Sequence, residues 1–347
     1  MGWVRAPDVA LGANEAPSLA SGNLSAAASK TLLAYCHRDE ATLLDLSDGS
    51  RKSVPFRIKP TKIFEVKLCT CHGVLVLVVA TLGGVQLWQV GSTMRHLLCH
   101  ALTNGDAEST SVFARGIAAT QRGMNVCVGC STGALLVFDT SESDVDVRLA
   151  RSAQAHGCPI AAVACAPAGA DVVATADERG EVRLWDLPAL TPSPSCAGGV
   201  LALRTANDAL TCLALPTARL AVAGFASGHV RVYAAASGVG GLLAELQAHT
   251  RCITALDVSV DGRTFATVGE DSYVHVWALD ARGLASDGED KGQEVKSEPA
   301  VLISRDFSES VDDALLTGVQ FLVHGAGNAH LSASAYDHEA IKLWAKV

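Results

Sequence analysis

The chain has 347 residues, 49% of them apolar, and its 27 basic and 36 acidic side chains give a formal net charge of −9. That composition can fill a core and excludes a disordered tail, and the acidity excludes a general electrostatic affinity for nucleic acid or anionic lipid. The longest unbroken apolar runs, such as Val74 to Ala80, are far short of the roughly 20 residues of a membrane helix, so no membrane insertion is expected.

In chain order, the opening residues carry no apolar signal region, which points to a soluble, cytoplasmic protein with a nuclear or ciliary pool left open. A first weak repeat unit follows, Ala41-Thr42-Leu43-Leu44-Asp45. The one basic cluster, Arg51, Lys52, Arg57, Lys59 and Lys62, is interrupted by Val54, Pro55 and Phe56, so it reads as a strand with its loops rather than a phosphate patch. Eleven cysteines, an odd number, argue for reduced thiols. Two pairs invite a metal reading, Cys69 with Cys71 and Cys127 with Cys130. Structural zinc usually wants four ligands, and on a strand Cys127 and Cys130 point to opposite faces. Buried thiols are the expected outcome, with no metal and no cofactor.

The unit then recurs. It appears as Gly83-Gly84-Val85-Gln86-Leu87-Trp88, as Gly133-Ala134-Leu135-Leu136-Val137-Phe138-Asp139 and as Gly180-Glu181-Val182-Arg183-Leu184-Trp185-Asp186. Gly228-His229-Val230-Arg231-Val232-Tyr233, Tyr273-Val274-His275-Val276-Trp277 and Ala340-Ile341-Lys342-Leu343-Trp344 complete the series. From Leu44 onward the intervals are 44, 50, 47, 48, 44 and 67 residues. A period in the forties, with alternating apolar residues behind a glycine turn, is the pattern of a β-propeller with four strands per blade. Helical repeats would space their apolar residues by three and four. Seven units predict an all-β, seven-bladed ring. The interval of 67 leaves residues to spare, and Ala281 to Ala300 is rich in Asp, Glu, Gly, Lys and Ser. This stretch is expected to be a disordered acidic loop inserted between the third and fourth strands of the sixth blade, with Val301-Leu302-Ile303 in the outer strand. It lies in the most acidic region, Asp280 to Asp313, which carries a net −6. The rest of residues 1–347 is expected to be a single propeller domain.

These units resemble the WD-repeat family. The best copy runs from His249-Thr250-Arg251-Cys252-Ile253-Thr254 through Asp261-Gly262 and Gly269-Glu270-Asp271 to Trp277, and a second opens at His156-Gly157 and closes at Trp185-Asp186. A further run, Phe113-Ala114-Arg115-Gly116-Ile117-Ala118-Ala119, lies outside the general repeat and is similar to one branch of that family. The resemblance implies that His156, Trp185, His249, Asp271, Trp277 and Trp344 are structural, with His, turn Asp and strand Trp tying a loop to a strand. Two departures stand out: Gly269 replaces the usual Ser, and Arg179 stands at the usual Asp position of the His156 blade. The family's strand order also implies that Trp344 lies too close to Val347 for its blade to hold its own outer strand. A segment within Trp3 to Leu11 must then complete it and join the ends, removing an open edge.

No sequence motif for a nucleotide loop, a zinc protease or a nucleophile elbow is present. A triad of Ser259, His249 and Asp271 would need residues the WD-repeat scaffold already employs. An enzyme is therefore not expected. The resemblance implies instead a non-catalytic interaction scaffold, monomeric within a complex of other proteins, whose partners meet the residues at the start of each inner strand and the second turn of each blade. Carried over by position, these are Phe113, Arg115, Cys252 and Thr254, with Glu178, Glu270 and Asp337 in the turns. An exposed Phe beside an Arg, ringed by carboxylates, suits a peptide with an apolar anchor and basic residues; the plainer alternative is that Phe113 packs inward and Arg115 lines a wet channel. A second reading is a substrate-recognition subunit of a larger enzyme complex, for example a ubiquitin- or nucleotide-handling one.

Overall fold

The alternating apolar units become strands, and the glycines before them become tight turns. The computed structural model describes residues 2–27, 31–56, 58–102, 112–120, 124–140, 146–166, 171–187, 189–192, 200–202, 208–234, 241–282, 300–322 and 329–347. The described residues form strands and no helix, in seven antiparallel sheets.

Strand β1 (Trp3–Ala10) comes first. Blade 1 is β2 (Ser25–Ala26), β3 (Leu32–His37), β4 (Glu40–Asp45) and β5 (Arg51–Ser53). Blade 2 is β6 (Ile63–Cys71), β7 (Val74–Thr81), β8 (Gly84–Gln89) and β9 (Arg95–Ala101). Blade 3 is β10 (Ala114–Ala119), β11 (Asn125–Cys130), β12 (Ala134–Thr140) and β13 (Val147–Gln154). Blade 4 is β14 (Ile160–Cys165), β15 (Val172–Asp177), β16 (Val182–Asp186) and two short outer pieces, β17 (Thr191–Pro192) and β18 (Val200–Ala202), both paired with β16. Blade 5 is β19 (Leu210–Thr217), β20 (Leu220–Phe225), β21 (His229–Ala234) and β22 (Gly241–Gln247). Blade 6 is β23 (Ile253–Val258), β24 (Thr264–Gly269), β25 (Tyr273–Arg282) and β26 (Ala300–Ser310). Blade 7 is β27 (Leu316–Phe321), β28 (Ala329–Ala335), β29 (Ala340–Lys346) and, as its outer strand, β1.

The seven repeat units are the third strands, β4, β8, β12, β16, β21, β25 and β29. The ring closes as the resemblance implied: β1 pairs antiparallel with β29 from Trp3 opposite Lys346 to Ala10 opposite Ala340. The outer strand of blade 6 contains Val301-Leu302-Ile303 as expected, but the hairpin is longer than the sequence reading allowed. Ala281, Arg282 and Ala300 pair as strand residues, and residues 283–299 of the expected acidic loop lie outside the described residues.

Apolar side chains bury between blades rather than at the ring's centre. One cluster joins Val76, Val78 and Leu87 of blade 2 to Ile117, Val126 and Phe138 of blade 3, and another joins Ala266 and Val276 of blade 6 to Leu316, Leu331 and Trp344 of blade 7. Second strands pack on both faces, which is why β7 reads Val-Leu-Val-Leu-Val-Val-Ala-Thr without alternation. Cys127 and Cys130 do point to opposite faces, one into the blade 3–4 core and the other into the blade 2–3 core. Burial pushes the Cys130 thiol up to about 12 and that of Cys71 to about 11, so both stay protonated and inert. No group of His, Cys, Asp or Glu suited to a metal occurs among the described residues.

The inner strands, which share no ladder, are tied by side chains reaching a neighbour's backbone. Leu68 N–H donates to Ser25 Oγ at 2.9 Å, Gly116 N–H to Glu65 Oε2 at 2.7 Å, Arg115 Nε to the Ile160 carbonyl at 3.3 Å, Thr254 Oγ1 to the Leu316 carbonyl at 2.6 Å and Ala26 N–H to Gln320 Oε1 at 3.2 Å. These bonds join every pair of blades except those involving blade 5. Among the described residues, β19 meets its neighbours by apolar packing alone, in an alanine-rich cluster on the blade 4 side.

Candidate functional site

Turns between second and third strands, and loops leading into inner strands, all open on one end of the ring. Glycines set the turns: Gly83, Gly133, Gly180 and Gly228 have φ between 82° and 84°, where a side chain is strained. At Gly228 a Cβ would also lie 2.2 Å from the His249 carbonyl oxygen. The turn is pressed against the loop entering the next blade, and the Gly228 carbonyl accepts bonds from Ala248 and His249 N–H.

In blade 6 one hydrogen-bonded group joins His249, Asp271, Thr267 and Trp277. His249 Nδ1 meets Asp271 Oδ1 at 2.8 Å, its Nε2 meets Thr267 Oγ1 at 2.8 Å, and Trp277 Nε1 donates to the same Oγ1 at 3.0 Å. Burial works to raise the Asp271 pKa, but bonds from His249, Thr250 and Tyr273 outweigh it and hold it at about 2. In blade 4, Thr175 Oγ1 likewise binds His156 Nε2 and Trp185 Nε1, each at 2.8 Å. The departure at Arg179 is made good two residues earlier, where the buried Asp177 carboxylate lies 3.5 Å from His156 Nδ1 and accepts from Cys158 Sγ and Glu181 N–H. The sequence reading passed over both threonines, although each stands ten residues before its Trp. Trp344 is fully buried and donates to Glu309 Oε2 at 3.1 Å.

On the loop-bearing end, the central channel opens into a chamber of about 520 Å3 lined by Glu65, Lys67, Arg115, Glu178, Thr254 and apolar residues such as Ala161 and Leu213. A second cavity of about 290 Å3 opens toward the opposite end, and Lys67 lines both. Desolvation in this channel pushes the Glu65 and Asp257 carboxyls upward, against the pull of Lys67.

The expected binding residues fall into three groups. Arg115, Glu178 and Thr254 reach the chamber wall. Arg115 Nη2 donates to Glu178 Oε1 at 2.7 Å, bridging blades 3 and 4, whereas the Thr254 hydroxyl is buried and committed to the Leu316 and Val268 carbonyls. Glu270 and Asp337 are exposed in their turns, outside the chamber lining. Cys252 is half-buried, with Sγ 3.5 Å from the Ile253 carbonyl and a pKa raised to about 11 by burial. Phe113 stacks on Phe64 with ring centroids 4.3 Å apart and planes 14° from parallel, both rings half-buried. Sequence reading missed Phe64, which is the second residue of β6 as Arg115 is of β10, one blade away from Phe113 and 49 positions earlier in the chain. The basic cluster is dispersed: Arg51 pairs with Glu15, Lys52 donates to the Gly91 and Ser92 carbonyls, Lys59 pairs with Asp39, and Arg57 lies outside the described residues.

Comparison with known proteins agrees with this architecture. The WDR54 family model matches residues 48–347. Human WD repeat-containing protein 54 is 31% identical over 301 residues, covering 84% of this chain and 80% of its own length. The mouse protein of the same description is 33% identical over 233 residues, 64% of each chain. Rat WD repeat domain 54 is 30% identical over 291 residues, 81% of this chain and 77% of its own.

Proposed function

The chain belongs to the WDR54 family, and from that premise we propose that it is a non-catalytic scaffold that presents the loop-bearing end of its propeller to other proteins. A WD-repeat propeller supports protein interaction in general; the choice of face is the further step. The observation that carries it is the chamber on that end, beside a half-buried aromatic stack and an ion pair bridging two blades. Rigid strands hold these groups while the loops present them. The His, Asp and Ser residues that could serve catalysis are engaged in holding turns: His249 and Asp271 in the tie to Trp277, and Ser259 Oγ with Asp261 and the Thr264 carbonyl. Free thiols at the described cysteines fit a reducing compartment, which supports a cytoplasmic location; the proposal includes a monomeric propeller inside a larger complex.

Affinity purification with mass spectrometry tests the reading. Wild type is compared with the Phe113→Ala/Arg115→Ala/Glu270→Ala variant, after the two are matched in melting temperature. Partners lost from the variant alone support this face, and an unchanged set of partners refutes it. A stoichiometric catalytic subunit among the lost partners would move the assignment to the second reading, a substrate-recognition subunit.

A further inference from the structure

Four side chains on the loop-bearing end form one column across blades 2 and 3. Lys62 Nζ lies 4.8 Å from the Phe64 ring centroid, Phe64 stacks on Phe113 at 4.3 Å, and the Arg115 guanidinium lies 5.9 Å from the Phe113 ring. The order is cation, ring, ring, cation. Each ring packs against the other and has a cation near its centroid, which leaves the ring edges as the surface a partner meets. Edges carry the positive rim of the aromatic quadrupole, and a cation stands at either end. All of these groups favour negative charge.

The column is also rigid before binding. Phe113 N–H donates to Ser131 Oγ at 3.1 Å, its carbonyl accepts from Ser131 N–H at 2.9 Å, and the residue pairs with Leu82 as an isolated bridge. Lys62 is held through its carbonyl, which accepts from Leu82 N–H at 2.9 Å. Its exposed ammonium, unlike those of Lys59 and Lys52, has no ion pair or hydrogen bond with any described residue. Ile58, 67% exposed on the same loop, adds an apolar contact. Among the described residues, the carboxylates beside the column are Glu178, already bound by Arg115, and Glu65, which accepts from Gly116 and Ile117 N–H, so a basic partner would have to break those contacts, while an acidic one meets a Lys62 ammonium that has no ion pair with a described residue.

We infer that the Lys62–Phe64–Phe113–Arg115 column is the docking point for an acidic segment of a partner protein. This rests on the scaffold reading above and reverses the partner charge expected from the sequence. The segment places carboxylates against Lys62 and the ring edges, with an apolar residue against Ile58. Complementary charge sets orientation and association rate more than total affinity, so binding is expected to be modest and to weaken with salt.

Fluorescence anisotropy on the full chain tests this with three labelled probes of equal length. One is a peptide of Asp, Glu and Gly with a central Phe, the second has Lys and Arg in place of its acids, and the third is single-stranded DNA. The acidic peptide is expected to bind best, and to weaken about five-fold or more on Lys62→Glu, which replaces an exposed attraction with a repulsion. Phe113→Ala is expected to weaken it as well, and Val260→Ser, on an exposed turn at the opposite end, to leave it unchanged. Tighter binding of the basic peptide, equal binding of DNA, no binding of either peptide, or indifference to Lys62→Glu would each overturn the inference. Cellular partners lost from the triple variant but kept by Lys62→Glu would overturn it and leave the scaffold reading standing.

Discussion

The Arg5 guanidinium of the closing strand donates to Glu309 of the neighbouring blade at 2.8 Å. Glu309 also accepts from the buried Trp344 indole, and Arg5 lies 5.1 Å from that ring's centroid. Trp3 and Lys346 extend the contact, both reaching Asp306. The N-terminal strand therefore completes blade 7 and fastens it to blade 6.

Removing residues 1–11 strips β29 of its antiparallel partner and leaves an open apolar edge. The truncated chain is expected to lose cooperative unfolding and to aggregate. Arg5→Ala, which keeps the ladder, is expected to cost about 1 kcal/mol, because the pair is partly exposed and only the stacking adds to it. Urea denaturation with an unchanged m value checks the second, and a truncated chain that melts like wild type would contradict the clasp.

Thr267 Oγ1 serves His249 and Trp277 at once, so Thr267→Val, of nearly equal volume, leaves two buried nitrogens unpaired. The expected cost is about 2–3 kcal/mol, and Thr175→Val is expected to match it in blade 4. A loss under about 0.5 kcal/mol, within the range of an ordinary surface change, would show that the tie is ornamental.

Acid is expected to loosen blade 6 in two adjoining steps. Burial lowers the His275 pKa from 6.5 to about 4, aided by His249 and Arg305 and opposed by Asp271. Between those values the unfolded chain binds more protons than the folded one, so stability falls as pH drops from 6.5 to 4 and levels off below. Asp271, lowered from 3.8 to about 2, contributes stability that is present above 3.8 and lost as pH falls toward 2. Glu65 and Asp257, raised by burial, act in the opposite sense, so the comparison must be made within a pair of proteins. Melting temperatures of wild type and His275→Gln, taken from pH 7.5 to 4, are expected to converge as pH falls. Parallel curves would refute the assignment.

Blade 5 is expected to open first. Among the described residues, its inner strand has none of the cross-blade hydrogen bonds that tie the others, and Ala161, Ala162, Ala164 and Ala166 bury little area against it. Native-state hydrogen exchange is expected to show β19 and β20 exchanging through a lower-energy opening than β7. Equal protection in blades 2 and 5 would contradict this.

Much of this fold was legible in the sequence because its information is local and periodic. The Val-x-Leu-Trp unit fixes a third strand and the glycine before it fixes the turn, while the family's strand order implies the donated outer strand that β1 supplies. The site was less legible because its groups meet across blades. Phe113 could be placed on the loop-bearing end by position, but nothing near it in sequence announces Phe64. Asp177 could not be recognised as the partner of His156 while the expected position held Arg179. The charge of Glu178 looked available until Arg115 was seen to bind it.

The central claim is that partners dock on the loop-bearing end. Hydrogen exchange of the purified chain, free and bound to a partner recovered by affinity purification, tests it most directly. The account predicts new protection around Leu82, Phe113 to Gly116, Glu178 and Arg251 to Thr254, with the outer strands β9, β13 and β22 unchanged. Protection confined to those outer strands, or to the opposite turns at His72, Arg219 and Val260, would contradict it.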